Sequence, residues 1–181
     1  MTRARRRRRA AAGAVVCAAA AAIAWWHLAG PEGSQPTIGA VVTVGAEVVR
    51  VVDGDTLIVN QDGAEVRVRL LGIDTPESVK PDSPVECYGP EASARTTELA
   101  SGRIVRLEGD PTQDAVDQYG RTLAYVWLDD ATMLNEVLVA EGYAREYTYE
   151  QPGSHQALLL DAQRRAQAAD AGLWSACTDH P

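Results

Sequence analysis

Between Arg67 and Glu77 the chain alternates in side-chain character and then breaks into a polar tip: Arg67-Val68-Arg69-Leu70-Leu71-Gly72-Ile73-Asp74-Thr75-Pro76-Glu77. Val66, Val68 and Leu70 fall on one face of a strand and Arg67, Arg69 and Leu71 on the other, because successive side chains point to opposite sides. Arg69 therefore points away from the apolar set. Pro76 fixes its own φ and pushes Thr75 out of the helical region, so the strand ends abruptly at Asp74, Thr75 and Glu77. Taken alone, the segment reads first as a surface strand running into a Thr-Pro-Glu helix start.

Its surroundings change that reading. Glu47 to Val52 and Thr56 to Asn60 are runs rich in β-branched residues, separated by Asp53-Gly54-Asp55, and Gln61-Asp62-Gly63 leads into the strand above. The pattern is three strands with tight turns. Asp53-Gly54-Asp55 is ordinary hairpin chemistry, and it also offers carboxylates that Asp74 can join as a second oxygen source. Ser78 to Tyr88 reads as an exposed loop, and Gly89-Pro90-Glu91 opens a helix to about Ala100, with Pro and Glu suited to a first turn. Ile104 to Glu108 and Thr122 to Leu128 are further strands, separated by a polar loop ending Asp117-Gln118-Tyr119-Gly120-Arg121. Helices follow at Met133 to Glu141, with Leu134, Val137, Leu138 and Glu141 on one side, and at Gln156 to Ala171. The fold class is α+β, mainly β: a five-stranded barrel of the oligonucleotide-binding type with an inserted helix and trailing helices.

The first nine residues hold six arginines, and Ala10 to Gly30 contain no Lys, Arg, Asp or Glu. Residues 1–30 read as a targeting segment, not as part of the fold. As a helix rising about 1.5 Å per residue the apolar part is long enough for a bilayer core, with Trp25-Trp26 at the interface. Cleavage after Ala22-Ile23-Ala24 is the other reading. Either way the remainder is exported, as a membrane-anchored domain or a secreted one. Residues 31–44 form a linker and 45–181 the domain, large enough for one real core. From residue 31 on there are 11 basic against 25 acidic residues, a formal charge of −14. That weighs against broad, non-specific electrostatic binding of polyanions. Of the three histidines, His27 lies in the apolar segment, His180 sits beside the C-terminus, and His155 follows a Pro-Gly loop as an ordinary surface residue. A His-metal site or a Ser-His-Asp triad is therefore disfavoured. Cys87 precedes the first helix of the domain and Cys177 follows Trp174-Ser175-Ala176, so an exported domain would bridge them; two unpaired thiols are the alternative.

Five blocks in order carry a resemblance: Asp53-Gly54-Asp55-Thr56, Arg69 to Glu77, Tyr88-Gly89-Pro90-Glu91-Ala92, Tyr119-Gly120-Arg121 with Leu123-Ala124-Tyr125, and Gly172-Leu173-Trp174-Ser175. Over roughly residues 47–176 the chain resembles the staphylococcal nuclease (thermonuclease) family. The resemblance implies a five-stranded oligonucleotide-binding barrel with three α-helices, preceded here by a signal or anchor helix. It also implies a calcium-dependent hydrolase cutting DNA and RNA to 3′-phosphate products. Asp55 and Asp74 match the calcium-binding carboxylates, Thr75 the residue whose carbonyl joins them, and Asp53 an acid beside the metal. Glu77 matches the general base, and Arg69 and Arg121 the phosphate-binding arginines. Tyr119, Tyr147 and Tyr149 match substrate-contacting tyrosines, the last two only across a one-residue gap. The chain departs from the family's best-known member in its acidity and in Gln118, which stands where a lysine contacts phosphate. The expected partners are nucleic acid as substrate and a membrane through an uncleaved N-terminus, and the expected state is a monomer. The competing reading is a nuclease-like barrel that has lost catalysis and binds nucleic acid or protein. Asp55, Arg69, Asp74, Glu77 and Arg121 are all in place, which favours the enzyme.

Overall fold

A computed structural model describes residues 42–79 and 84–178. The targeting segment read at 1–30, most of the linker, His27 and His180 lie outside the described residues. Among the described residues no helix is long and apolar enough to cross a membrane.

The chain runs β1 (Val42–Asp53), β2 (Thr56–Gln61), β3 (Ala64–Leu70), β4 (Ile73–Asp74), α1 (Gly89–Ala100), β5 (Ile104–Glu108), β6 (Thr122–Trp127), α2 (Leu134–Ala140), β7 (Arg145–Glu146), α3 (Gln156–Ala168) and α4 (Leu173–Ala176). Five strands close a barrel in the order β1-β2-β3-β6-β5, antiparallel except for the parallel β3–β6 pair. The barrel class is the one expected. β1 starts at Val42, inside the segment read as linker, and reaches both β2 and β5. Register shifts along it between Val44 and Ala46, Val48 and Arg50, and Val51 and Asp53 bend one strand around the barrel.

Alternation along the strands fills the interior. Val48, Leu57, Val59, Val68 and Val126 are fully buried, and Leu134, Leu138 and Leu159 from α2 and α3 pack into the same core. Each such side chain contributes about 1.5–3 kcal/mol relative to exposure. On α2 the buried positions include Val139, while Val137 is half-buried; Glu141 pairs with Arg95 of α1. Among the described residues the helices number four, where the resemblance implied three, because Leu173–Ala176 forms one further turn. Helix α3 ends at Ala168, three residues before the expected Ala171.

Two buried polar groups tie the layers together. Asn135 accepts from Val126 N–H at 2.9 Å and donates to the Leu71 carbonyl at 2.8 Å, pinning α2 to the end of β3. Asp110 accepts from Tyr125 O–H at 2.8 Å, Ser154 N–H at 2.6 Å and Thr112 N–H at 2.9 Å, joining the loop after β5 to the start of α3. Burial works against the Asp110 carboxylate, but these donors outweigh it and bring its pKa down to about 2. A folded-state pKa below the unfolded one gives stability that is present above about pH 4 and is lost as pH falls toward 2. The contribution is about 2 kcal/mol. We expect Asp110→Asn to flatten the fall in melting temperature between pH 4 and pH 2, measured by calorimetry; an unchanged acid limb would contradict this.

His155 is not the surface residue expected. It is half-buried, with Nε2 2.9 Å from Glu108 Oε1 and its ring edge-on to Tyr125 at 4.5 Å. Its partners come from β5 and β6, distant in sequence.

Candidate functional site

The β1–β2 turn, the end of β3 and the loop after β4 meet at one rim of the barrel. Thr56 pairs with Arg69 across β2–β3, which places the Asp55 turn beside the end of β3. Gly54 permits the contact: a Cβ there would lie 2.6 Å from Thr75 Oγ1. Asp55, buried at 6 % exposure, accepts through Oδ2 from both the N–H and the hydroxyl of Thr75 at 3.0 Å. Its Oδ1 accepts from Thr56 O–H at 3.1 Å.

Arg69 is the hub. Its Nη1 donates to the carbonyls of Leu70 and Ile73 at 2.9 and 2.8 Å, and its Nη2 lies 2.8 Å from Asp74 Oδ1 and 3.1 Å from Asp55 Oδ2. Asp74 is set by the two-residue β4–β7 pair, in which it faces Arg145. Burial raises the Asp74 pKa above the usual carboxylate value; Arg69 pulls it down while Asp55 and Glu86 push it further up.

Glu77 stands on the next loop. Its Oε1 accepts from the N–H groups of Ser78 and Val79 at 3.1 and 3.0 Å. Glu86 clasps its backbone: the Glu77 N–H donates to Glu86 Oε2 at 3.0 Å, and the Glu86 N–H donates to the Glu77 carbonyl at 2.9 Å. Gly89 lets the start of α1 press on this loop, since a Cβ would meet the Glu77 carbonyl at 2.5 Å. Cys87, between them, is disulfide-bonded to Cys177 beyond α4. Asp53 accepts from Gly54 N–H, Ser78 O–H and Ser93 O–H at 2.7, 2.6 and 3.0 Å. Burial acts to raise its pKa, and the hydrogen bonds it accepts from Ser78, Gly54 and Ser93 help hold it below the ordinary value.

Arg121 enters from the loop before β6. Asp117 takes its Nε at 2.6 Å and its backbone N–H at 2.9 Å, which fixes the plane of the guanidinium. Burial opposes the charge on Asp117, and these bonds to Arg121 bring its pKa below the usual value. The ring of Tyr119, 75 % exposed, lies 5.5 Å from the Arg121 guanidinium carbon.

Two clefts meet here. The smaller, about 350 Å³, is lined by Asp53, Asp55, Asp74, Thr75, Glu77 and neighbours. The larger, about 770 Å³, is lined among others by Tyr119, Tyr147 and Tyr149, the last two edge-to-face at 5.8 Å. Arg69, Asp74 and Arg121 line both. The smaller cleft sets its carboxylates among Arg67, Arg69 and Arg121, the larger sets its tyrosines among Asp114, Asp117, Glu146 and Glu150, and Arg69 and Arg121 stand at their junction.

The donors in the smaller cleft are hard oxygens, with no His or Cys in its lining, which suits calcium or magnesium and not zinc. Asp55 and Asp74 already converge on one cationic nitrogen of Arg69, so the pair can share a point charge. Among the described residues no three His, Cys, Asp or Glu side chains gather around one metal position. Asp55 and Asp74 are the carboxylates there that could hold a cation, with water completing its shell. Sequence reasoning missed Asp117 and Glu86, whose roles lie in holding Arg121 and Glu77. The one available signal was that each is a loop acid close in sequence to a functional residue or its helix.

The staphylococcal nuclease homologue family model matches residues 67–176. Thermonuclease of Staphylococcus hyicus is 46 % identical over 129 residues, covering 71 % of this chain and 75 % of its own. Thermonuclease of Staphylococcus intermedius is 47 % identical over 127 residues, covering 70 % and 74 %. The endonuclease YncB of Bacillus subtilis is 39 % identical over 127 residues, covering 70 % of this chain and 59 % of its own.

Proposed function

The chain belongs to the staphylococcal nuclease family, and from that premise we propose that it is a calcium-dependent nuclease hydrolysing DNA and RNA to 3′-phosphate products. The observation that carries the reading is the position of Arg69 and Arg121 between the cleft that holds the carboxylates and the cleft that holds the tyrosines. A scissile phosphate at that junction would have the Nη groups of Arg121 for its oxygens, and those of Arg69 once a cation takes its place on Asp55 and Asp74, with carboxylates on one side and rings for a neighbouring base on the other.

Phosphodiester hydrolysis demands accelerations approaching about 10¹⁷-fold, so no single group accounts for it. Arg69 and Arg121 bind and orient the phosphate and counter the charge that grows on it in the transition state. Asp117 holds Arg121 in plane, so a lysine there would lose the fork and the orientation together. Glu77 takes the proton of the attacking water, its carboxylate aimed by the Ser78 and Val79 amides, and as the new P–O bond forms the P–O5′ bond breaks, the 5′-oxygen leaving as a hydroxyl with a proton from solvent. Tyr119, Tyr147 and Tyr149 seat the nucleotide. Asp55, Asp74 and the Thr75 carbonyl would hold calcium, which when bound supplies a Lewis acid for a non-bridging phosphate oxygen. Asp53 braces the loop of Glu77 through Ser78. The arginine-rich, apolar start of the chain supports an exported protein, anchored or released.

The test is cleavage of denatured DNA and of RNA with added calcium, with magnesium, and with chelator. Activity that appears with calcium and disappears with chelator is the expected result. Equal activity in chelator would remove the metal from the reading.

A further inference from the structure

The outer face of the β1–β2–β3 sheet carries two arginines outside the set assigned above. Arg50, Ile58 and Arg67 form one cross-strand row, and the row nearer the site is Asp53, Thr56 and Arg69. The row between them, Val51, Leu57 and Val68, packs inward, so on β2 and β3 the flanking positions share the other face, where Arg50 and Arg67 are exposed while Asp53, Thr56 and Ile58 are buried. Arg67 lines the smaller cleft beside Arg69.

Their charges are unspent. Among the described residues Arg69, Arg95, Arg106, Arg121, Arg164 and Arg165 all form ion pairs. Arg50 and Arg67 form none, on a domain with 25 acidic against 11 basic residues. Arg103, also exposed, bonds the Leu99 carbonyl, and Arg145 lies half-buried over Trp174. The positive strip is short: the next row outward is Glu47, Asn60 and Glu65. Strand geometry sets Arg67 about 7 Å from Arg69 along β3 and Arg50 about 10 Å from Arg67 across two strands, measured at Cα. Such steps are of the order of the separation between phosphates on an extended single strand.

We infer that Arg67 and Arg50 form a phosphate track that extends the nuclease site. A single strand whose scissile phosphate lies at Arg69 and Arg121 continues over the outer face of β1–β3. Its following phosphates meet Arg67 and then Arg50, and the Glu47/Glu65 row turns it away beyond them. Chain length is thereby read as a substrate property: oligonucleotides reach the track and a dinucleotide does not. This rests on the nuclease reading of the junction.

The test compares the full-length protein with its Arg50→Ala/Arg67→Ala variant. One arm is the affinity for a fluorescent single-stranded 20-mer between 50 and 200 mM salt. The other is the ratio of kcat/KM for that 20-mer to kcat/KM for a dinucleotide. Each single-strand phosphate contact contributes about 0.7 to the slope of log affinity against log salt, so the variant's slope is expected to be shallower by about 1.4. The length ratio is expected to fall about tenfold. A slope and ratio equal to wild type would overturn the track, as would an equal loss on both substrates. The binding arm needs no turnover, so a wild-type protein that binds but does not cut would sink the nuclease reading while the salt slope still decides the track.

Discussion

Glu77→Gln is expected to lower kcat by about 10²- to 10⁴-fold while leaving the fold and nucleotide binding in place. Glutamine keeps the shape of the side chain and an amide oxygen that can still accept from the Ser78 and Val79 N–H groups. It also leaves the backbone clasp with Glu86 untouched. What it loses is the ability to take a proton from water as the new P–O bond forms. The loss should fall on kcat and not on KM, because the arginines and tyrosines that hold the nucleotide are unchanged. Single-turnover cleavage, with circular dichroism and nucleotide affinity as controls, reads this out. Wild-type turnover in a folded Glu77→Gln protein would remove Glu77 from the mechanism.

The second large effect is on stability. Cys87 and Cys177 close a loop with a sequence separation of 90, which constrains the unfolded chain by about 4–5 kcal/mol in the loop-entropy account. Against a typical total of about 5–15 kcal/mol, that share decides whether the domain tolerates heat or denaturant. We expect Cys87→Ser/Cys177→Ser to move the urea midpoint sharply down and to steepen the slope, because the unbridged unfolded chain exposes more surface. A loss under about 1 kcal/mol would mean that the unfolded chain is not what the bond restrains. The bond also has a local consequence, since Cys87 follows Glu86, whose carboxylate and N–H hold the Glu77 backbone.

The barrel and the site were not equally legible from the sequence. Alternation marked β3, because a half-buried strand writes a period of two into its residues, whereas β2, buried on both faces at its start, was marked by its β-branched run. The Asp53-Gly54-Asp55 segment could be read both as a turn and as a source of carboxylates, and Gly54 makes the two compatible by letting Thr75 approach. The β4–β7 pair has two residues per strand, too few to leave a pattern, yet it places Asp74. Asn135 bridges Leu71 and Val126, and His155 reaches Glu108 across 47 positions. Contacts of that kind depend on the closed barrel and have no local signature. Asp117 and Glu86 belong with them: each is an unremarkable loop acid until the fold brings it to the residue it orients.

Arg121 lines both clefts and has Asp117 as its hydrogen-bonding partner among the described residues. The most direct test of the nuclease reading is cleavage of denatured DNA in calcium by the wild-type protein beside Arg121→Ala, with the product ends identified. The expected result is wild-type cleavage leaving 3′-phosphate ends and a loss of about 10²-fold or more in the variant, whose melting temperature stays near wild type. A folded wild-type protein that cuts nothing, or an Arg121→Ala variant that cuts as fast as wild type, would contradict it.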